Sequence, residues 1–132
     1  LSQAVEEGSK PLGLLHRDVF REILVPAADY FEPDLVLVSA GFDPHRNDLA
    51  LNVTYDGFKA MASIVRDIAD RHCEGRLACI LEGGYNLTSL SRGVHAVLEV
   101  LAGGEAPVLK EPGVLEVEAA AEFHRSAFGD DQ

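Results

Sequence analysis

Basic residues are scarce in this chain: 11 lysines and arginines stand against 22 aspartates and glutamates, for a formal net charge of −11. A surface of that sign repels phosphate, which disfavours direct DNA or RNA binding. The acidic excess would suit a cationic substrate, but such charge more often serves solubility, so it identifies no substrate. Cysteine is rarer still. Cys73 and Cys79 are the only two; they are too far apart for a CxxC pair, and the second sits in an apolar run where a thiol acts as a small hydrophobe. Neither is expected to bind metal or form a disulfide. No apolar run approaches the roughly 20 residues needed to cross a bilayer, and Leu1 to Lys10 lack a basic segment followed by an apolar one. The expectation is a soluble protein of a reducing compartment, the cytoplasm, with no membrane partner. Internal repeats and low-complexity segments are also missing. Leu1 in place of methionine is compatible with a missing upstream segment, with processing or with cloning.

Apolar residues, by contrast, are plentiful. They make up 47% of the 132 residues, which is ample for one domain at most and far from the disordered regime. Residues Leu1 to Leu15 mix Gly8, Pro11 and Gly13 with polar residues and read as an irregular lead-in. From Asp18, the steps of three and four between Val19, Phe20, Ile23, Leu24, Ala27, Tyr30 and Phe31 predict an amphipathic helix. Pro26 is expected to kink or break it, and Pro33 to stop it. Leu35-Val36-Leu37-Val38 then reads as a buried parallel strand, apolar on both faces. A polar loop follows from Ser39 to Asp48, too rich in turn formers to continue the sheet.

Thr54 can cap a second helix, whose apolar face follows Tyr55, Phe58, Met61, Ala62, Val65, Ile68 and Ala69 before Gly75 ends it. A second buried strand, Leu77 to Leu81, leads into Glu82-Gly83-Gly84-Tyr85-Asn86 and a helix from about Leu87 to Leu101, stopped at Gly103-Gly104. The tail from Glu105 to Leu115 is loop-like, and 116–128 could make a terminal helix. The order helix, strand, helix, strand, helix implies an α/β fold with parallel strands joined by a crossover.

In such sheets, ligands bind outside the carboxyl ends of the strands. Both polar loops lie there. One delivers Asp43 and the other Tyr85, a carboxylate that can bind zinc at about 2.0 to 2.2 Å and a phenol that can donate to a developing oxyanion. Each residue also has a plain structural use. Asp43 before Pro44 can begin a turn, Gly83-Gly84 can make a tight strand-to-helix turn capped by Asn86, and Tyr85 can be a packing residue. His45, two residues after Asp43, has the spacing of a ligand pair but reads as a solvent-facing loop histidine beside Arg46. His16, His72, His95 and His124 read as structural or surface residues.

Two motifs tip that balance. The run from Glu32 to Arg46, Glu-Pro-Asp-Leu-Val-Leu-Val-Ser-Ala-Gly-Phe-Asp-Pro-His-Arg, resembles the segment that enters the metal site of class II-type histone deacetylases, acetoin-utilisation proteins and acetylpolyamine amidohydrolases. Leu81-Glu-Gly-Gly-Tyr-Asn-Leu87 is similar to a second signature of that family, at suitable spacing. The resemblance covers roughly Asp18 to Gly104. It implies a three-layer αβα, arginase- or deacetylase-like fold, of which residues 1–132 form one partial domain with a core over 18–104 and a tail over 105–132. It further implies zinc as cofactor, Asp43 as a metal ligand, Tyr85 as the catalytic oxyanion donor, and Gly83 and Gly84 beside an acyl-lysine channel. Acetyl-lysine or an acetylated polyamine is the substrate it implies, with a histidine pair as general base and acid.

This sequence departs from the family pattern in three respects. It has no His-His pair and no Asp-x-His before the first helix, and the loop from Asn47 to Thr54 is short. Catalytic zinc takes three protein ligands, so the chain alone is not expected to turn over substrate. Two strands apolar on both faces also need neighbours. Their edges are expected to be covered by another chain or by a missing N-terminal part, or else to leave an apolar patch. The alternative is a non-catalytic fragment or degenerate homologue that acts by binding a partner. A nucleotide-binding module ranks last, because GxGxxG and a Walker lysine are both lacking and Glu82 is unfavourable beside phosphate.

Overall fold

The computed structural model describes residues 12–49, 51–108 and 122. Helix α1 spans Leu12–Val19, a π-helical turn follows over Phe20–Leu24, and α2 spans Val25–Phe31. The helix therefore begins earlier than the irregular lead-in suggested. Extending an existing helix needs only propagation, which is far easier than nucleation and outweighs the roughly 1 kcal/mol that Gly13 costs. Pro26 does not break the helix. The Val25 N–H bonds to the Phe20 carbonyl five residues back, and this one wide turn accommodates a ring that would otherwise press on the preceding turn. Glu32 then takes a left-handed conformation (φ 52°), and Pro33 follows.

Strand β1 covers Val36–Gly41, α3 Tyr55–Cys73, β2 Leu77–Gly83 and α4 Leu87–Leu101. The strands pair in parallel, from Val36 opposite Leu77 to Gly41 opposite Gly83, with an irregularity between Ala40 and Gly41. Both run two or three residues past the apolar runs that announced them. The polar stretch Ser39-Ala40-Gly41 stays in the sheet because it has a partner strand, and the Ser39 hydroxyl donates to Glu82 Oε2 at 2.6 Å across it. Pairing of this kind overrides local turn preference.

Each long helix starts on a side-chain cap. Thr54 Oγ1 accepts from the Gly57 N–H at 3.1 Å, and Asn86 Oδ1 from the Ser89 N–H at 3.0 Å. Such caps satisfy donors that the first helical turn leaves unpaired. Helix α3 crosses over between the strands and packs against α4, α1 and β1. Its buried face follows Phe58, Ala62, Val65, Ile68 and Ala69, as the periodicity requires. The terminal helix expected over 116–128 lies outside the described residues except at Glu122, which is helical.

Burial alternates along β1 but not along β2, where residues 78–82 are all exposed rather than buried as expected, because no described element packs closely on them. Val36, Val38 and Ala40 are half-buried, while Leu37 and Ser39 are exposed. With Ser39 opposite Ile80, Leu37 and Ile80 share a face and are 62% and 54% exposed. No described element covers that face, so two of the three expected layers are present among the described residues. An apolar hollow of about 190 Å³, lined among others by Val38, Cys79, Met61 and Val97, remains on the helical side. No helix among the described residues is long and apolar enough to cross a membrane.

Candidate functional site

The site begins with a ring in the core. Phe42 extends the pairing one residue beyond β1, its N–H donating to the Gly83 carbonyl at 3.0 Å. Its side chain is buried, with its centroid 5.2 Å from that of Phe58. Gly93 on α4 makes this possible, since a Cβ there would lie 2.5 Å from Phe42 Cδ1. With Phe42 locked inward, Asp43 is carried over the ends of both strands. A Cβ on Gly83 would collide with Asp43 Oδ1 and lie 3.1 Å from its Cγ, and one on Gly41 would lie 2.9 Å from Oδ1. Glycine at the last position of each strand is therefore what leaves room for the carboxylate. Among the described residues, no group donates a hydrogen bond to that carboxylate.

The loop after Asp43 folds back on itself. The Leu49 N–H bonds to the Asp43 carbonyl at 3.0 Å, the Asp48 N–H to His45 at 2.9 Å, and the Val53 N–H to Pro44 at 3.1 Å. His45 is not the solvent-facing residue expected from its polar neighbours. It is 2% exposed, its ring stacks on Tyr55 with centroids 4.4 Å apart, and its Nδ1 accepts from the Asn47 N–H at 3.2 Å. The cause is the bridge between His45 and Val53, which turns the ring under the loop and away from solvent. His45 is thus a structural residue rather than a metal ligand paired with Asp43.

Burial, reinforced by Arg46 and opposed by Asp48, lowers the His45 pKa below its ordinary 6.5. Unfolding frees the ring to take a proton, so its contribution to stability is complete above that value and is lost as pH falls through the depressed folded value. His45→Phe keeps a ring on Tyr55 and removes the titration. Denaturant unfolding at about pH 7 and about pH 5 is expected to show a smaller loss of stability on acidification in the variant than in the parent. Equal losses would exclude His45 as the source.

Just past the second strand, Gly84 has φ 127°, and a Cβ there would lie 2.9 Å from Leu90 Cδ1 and 3.3 Å from Phe42 Cβ. Only glycine suits that position. The next residue, Tyr85, is 74% exposed, and Asn86 opens α4. Asp43 and Tyr85 therefore stand at the same, carboxyl, end of the parallel pair. Their loops are tied together by a residue to which the sequence assigned no role: Asp48 Oδ2 accepts from the Tyr85 N–H at 2.6 Å and from the Asn86 N–H at 2.8 Å. Its partners are 37 and 38 residues away, with no periodicity or motif linking them, so no local signal pointed to it.

A carboxylate with no donor among the described residues, presented from a braced loop, suits the role of a cation ligand. It is one ligand only, since no group of three His, Cys, Asp or Glu that could hold a metal occurs among the described residues.

Comparison with known proteins bears on the family and the fold. Residues 14–101 match the histone deacetylase domain. The chain is 41% identical over 92 residues to "Histone deacetylase 14, chloroplastic" of Arabidopsis thaliana, covering 68% of this chain and 22% of that protein. It is 36% identical over 95 residues to a histone deacetylase-like amidohydrolase of Pseudomonas aeruginosa, covering 70% and 25% respectively. The crystal structure of the HDA15 HD domain superposes with a TM-score of 0.73 at 34% identity, over 88% of this chain and 33% of that one. The chain thus spans between a fifth and a third of these relatives. With the match to that domain covering two thirds of this chain, and a solved structure of a histone deacetylase domain superposing on it, this chain belongs to the histone deacetylase family.

Proposed function

We propose that this chain forms part of the active site of a zinc-dependent deacetylase that hydrolyses an acetyl-amide, either acetyl-lysine in a protein or an acetylated polyamine. One observation carries the proposal: the Asp43 carboxylate, with no donor among the described residues, stands at the strand ends beside the turn that bears Tyr85, and Asp48 bonds the two loops. Asp43 would supply one zinc ligand, and the other two would come from elsewhere in a complete domain. Zinc, when bound, polarises the acetyl carbonyl and lowers the pKa of the attacking water.

The Tyr85 hydroxyl donates a hydrogen bond to the amide oxygen as negative charge develops there. Gly83 and Gly84 would lie beside the channel that admits the acyl chain. The general base lies outside this chain, which on this reading is inactive alone. The face bearing Leu37 and Ile80 is then covered by the rest of the catalytic domain or by another chain. On the same reading the protein works in a reducing compartment such as the cytoplasm.

The test is acetate release by a complete zinc-loaded domain carrying these residues, offered an acetyl-lysine peptide and an acetylated polyamine in parallel. Release from at least one is expected, and the faster of the two identifies the substrate class. Zinc bound but no acetate from either would overturn the proposal in favour of a non-catalytic binding role.

A further inference from the structure

We propose that Asp48 is a positioning residue for Tyr85: its carboxylate sets where the phenol stands by clamping the backbone on which that side chain is mounted. The inference rests on Tyr85 being the oxyanion donor. Tyr85 follows Gly83-Gly84, two residues without side chains to pack, the second at φ 127°. The ring itself is 74% exposed, so its own packing does little to hold it. What remains is the main chain, and one oxygen, Asp48 Oδ2, takes the N–H groups of both Tyr85 and Asn86 at 2.6 and 2.8 Å.

These donors sit at the start of α4, where Asn86 is the cap and where the helix leaves N–H groups unpaired and favours negative charge. A carboxylate is therefore better suited there than a neutral acceptor. Asp48 is itself fixed. Its N–H bonds to the His45 carbonyl, and the next N–H, of Leu49, bonds to the carbonyl of Asp43. The clamp thus refers the position of Tyr85 to the loop that carries Asp43. Donor and ligand are held in one frame although they arise from different strands.

A complete zinc-loaded domain carrying Asp48→Ala, Asp48→Asn, Tyr85→Phe and the two double variants tests this. Asp48→Ala is expected to lower kcat by about 10- to 100-fold, the scale of a donor displaced by about 1 Å. KM should stay within about threefold of the parent and zinc content should be unchanged, because substrate binding and the metal are untouched. An asparagine amide would still offer an oxygen to both N–H groups but not the charge that the helix start favours, so Asp48→Asn should recover only part of that rate and keep a loss of about three- to tenfold.

The deciding readout is the cycle. In the Tyr85→Phe background, Asp48→Ala should cost less than about threefold, because the group it positions is already gone. An equal cost in both backgrounds would mean a general structural role and would overturn the proposal, as would an unchanged kcat in Asp48→Ala. If Asp48→Ala does not fold, the Asp48→Asn cycle decides: a loss present in the parent and absent in Tyr85→Phe supports the clamp, and a loss equal in both, or none in either, overturns it. A Tyr85→Phe variant as fast as the parent would instead remove the oxyanion assignment on which the inference stands.

Discussion

Replacing Tyr85 with phenylalanine in a complete domain is expected to slow deacetylation by roughly 10²- to 10³-fold, the usual loss on removing one oxyanion donor. The substitution deletes a single oxygen from a ring that is largely exposed, so it leaves no cavity and no buried group unsatisfied. Folding and zinc content should therefore match the parent. Because the hydrogen bond strengthens only as charge builds on the substrate oxygen, kcat should fall while KM changes little. Steady-state kinetics together with metal analysis would check both halves. A loss confined to KM would make Tyr85 a substrate-binding residue, and no loss at all would take it out of the chemistry.

Gly83→Ala is expected to have the second large effect, for a reason that only the coordinates reveal. Gly83 does not need a left-handed backbone, so alanine is tolerated by the main chain there. Its Cβ, however, would occupy the place of Asp43 Oδ1 and approach Cγ to 3.1 Å. The carboxylate terminates a flexible side chain and can swing away, so the fold should lose little stability. What it loses is position. Zinc affinity is expected to fall by about 10- to 100-fold, the scale seen when the supports of a ligand are disturbed, and Asp43→Ala should cost at least as much. Gly41→Ala, whose Cβ would lie 2.9 Å from Oδ1, should fall between the parent and Gly83→Ala. Competition with a metal-binding dye, read beside a thermal melt, would measure both quantities. Unchanged affinity in Gly83→Ala would show that the carboxylate does not need the place it occupies here.

Much of the fold could be read from residue order because its signals are local. The three- and four-residue spacing of Phe58, Ala62, Val65 and Ile68 demanded a helix buried along one side, and α3 has that buried face. Thr54 and Asn86 announced the helix starts at which their side chains now accept hydrogen bonds. Other features escaped. Ser39 to Gly41 looked like loop because a polar strand end declares itself only through the neighbour it pairs with, here Ile80 to Gly83. The π-helical turn before Pro26 is one of several ways a helix can absorb a proline, and which one is used depends on how its two halves pack on α3. His45 was misjudged for a related reason: Arg46, Asn47 and Asp48 make the segment hydrophilic on average, yet a bridge to Val53 buries the imidazole alone.

The amino-acid order by itself determined the helices, the parallel strands and the two motifs that carry Asp43 and Tyr85, since these depend on periodicity, capping and short runs of residues. Tertiary structure alone decided why glycine ends both strands, where the imidazole of His45 goes, and that Asp48 bridges the two loops. Each of those facts depends on groups brought within a few ångströms by folding, and no rule of spacing along a chain encodes a contact between residues 37 positions apart.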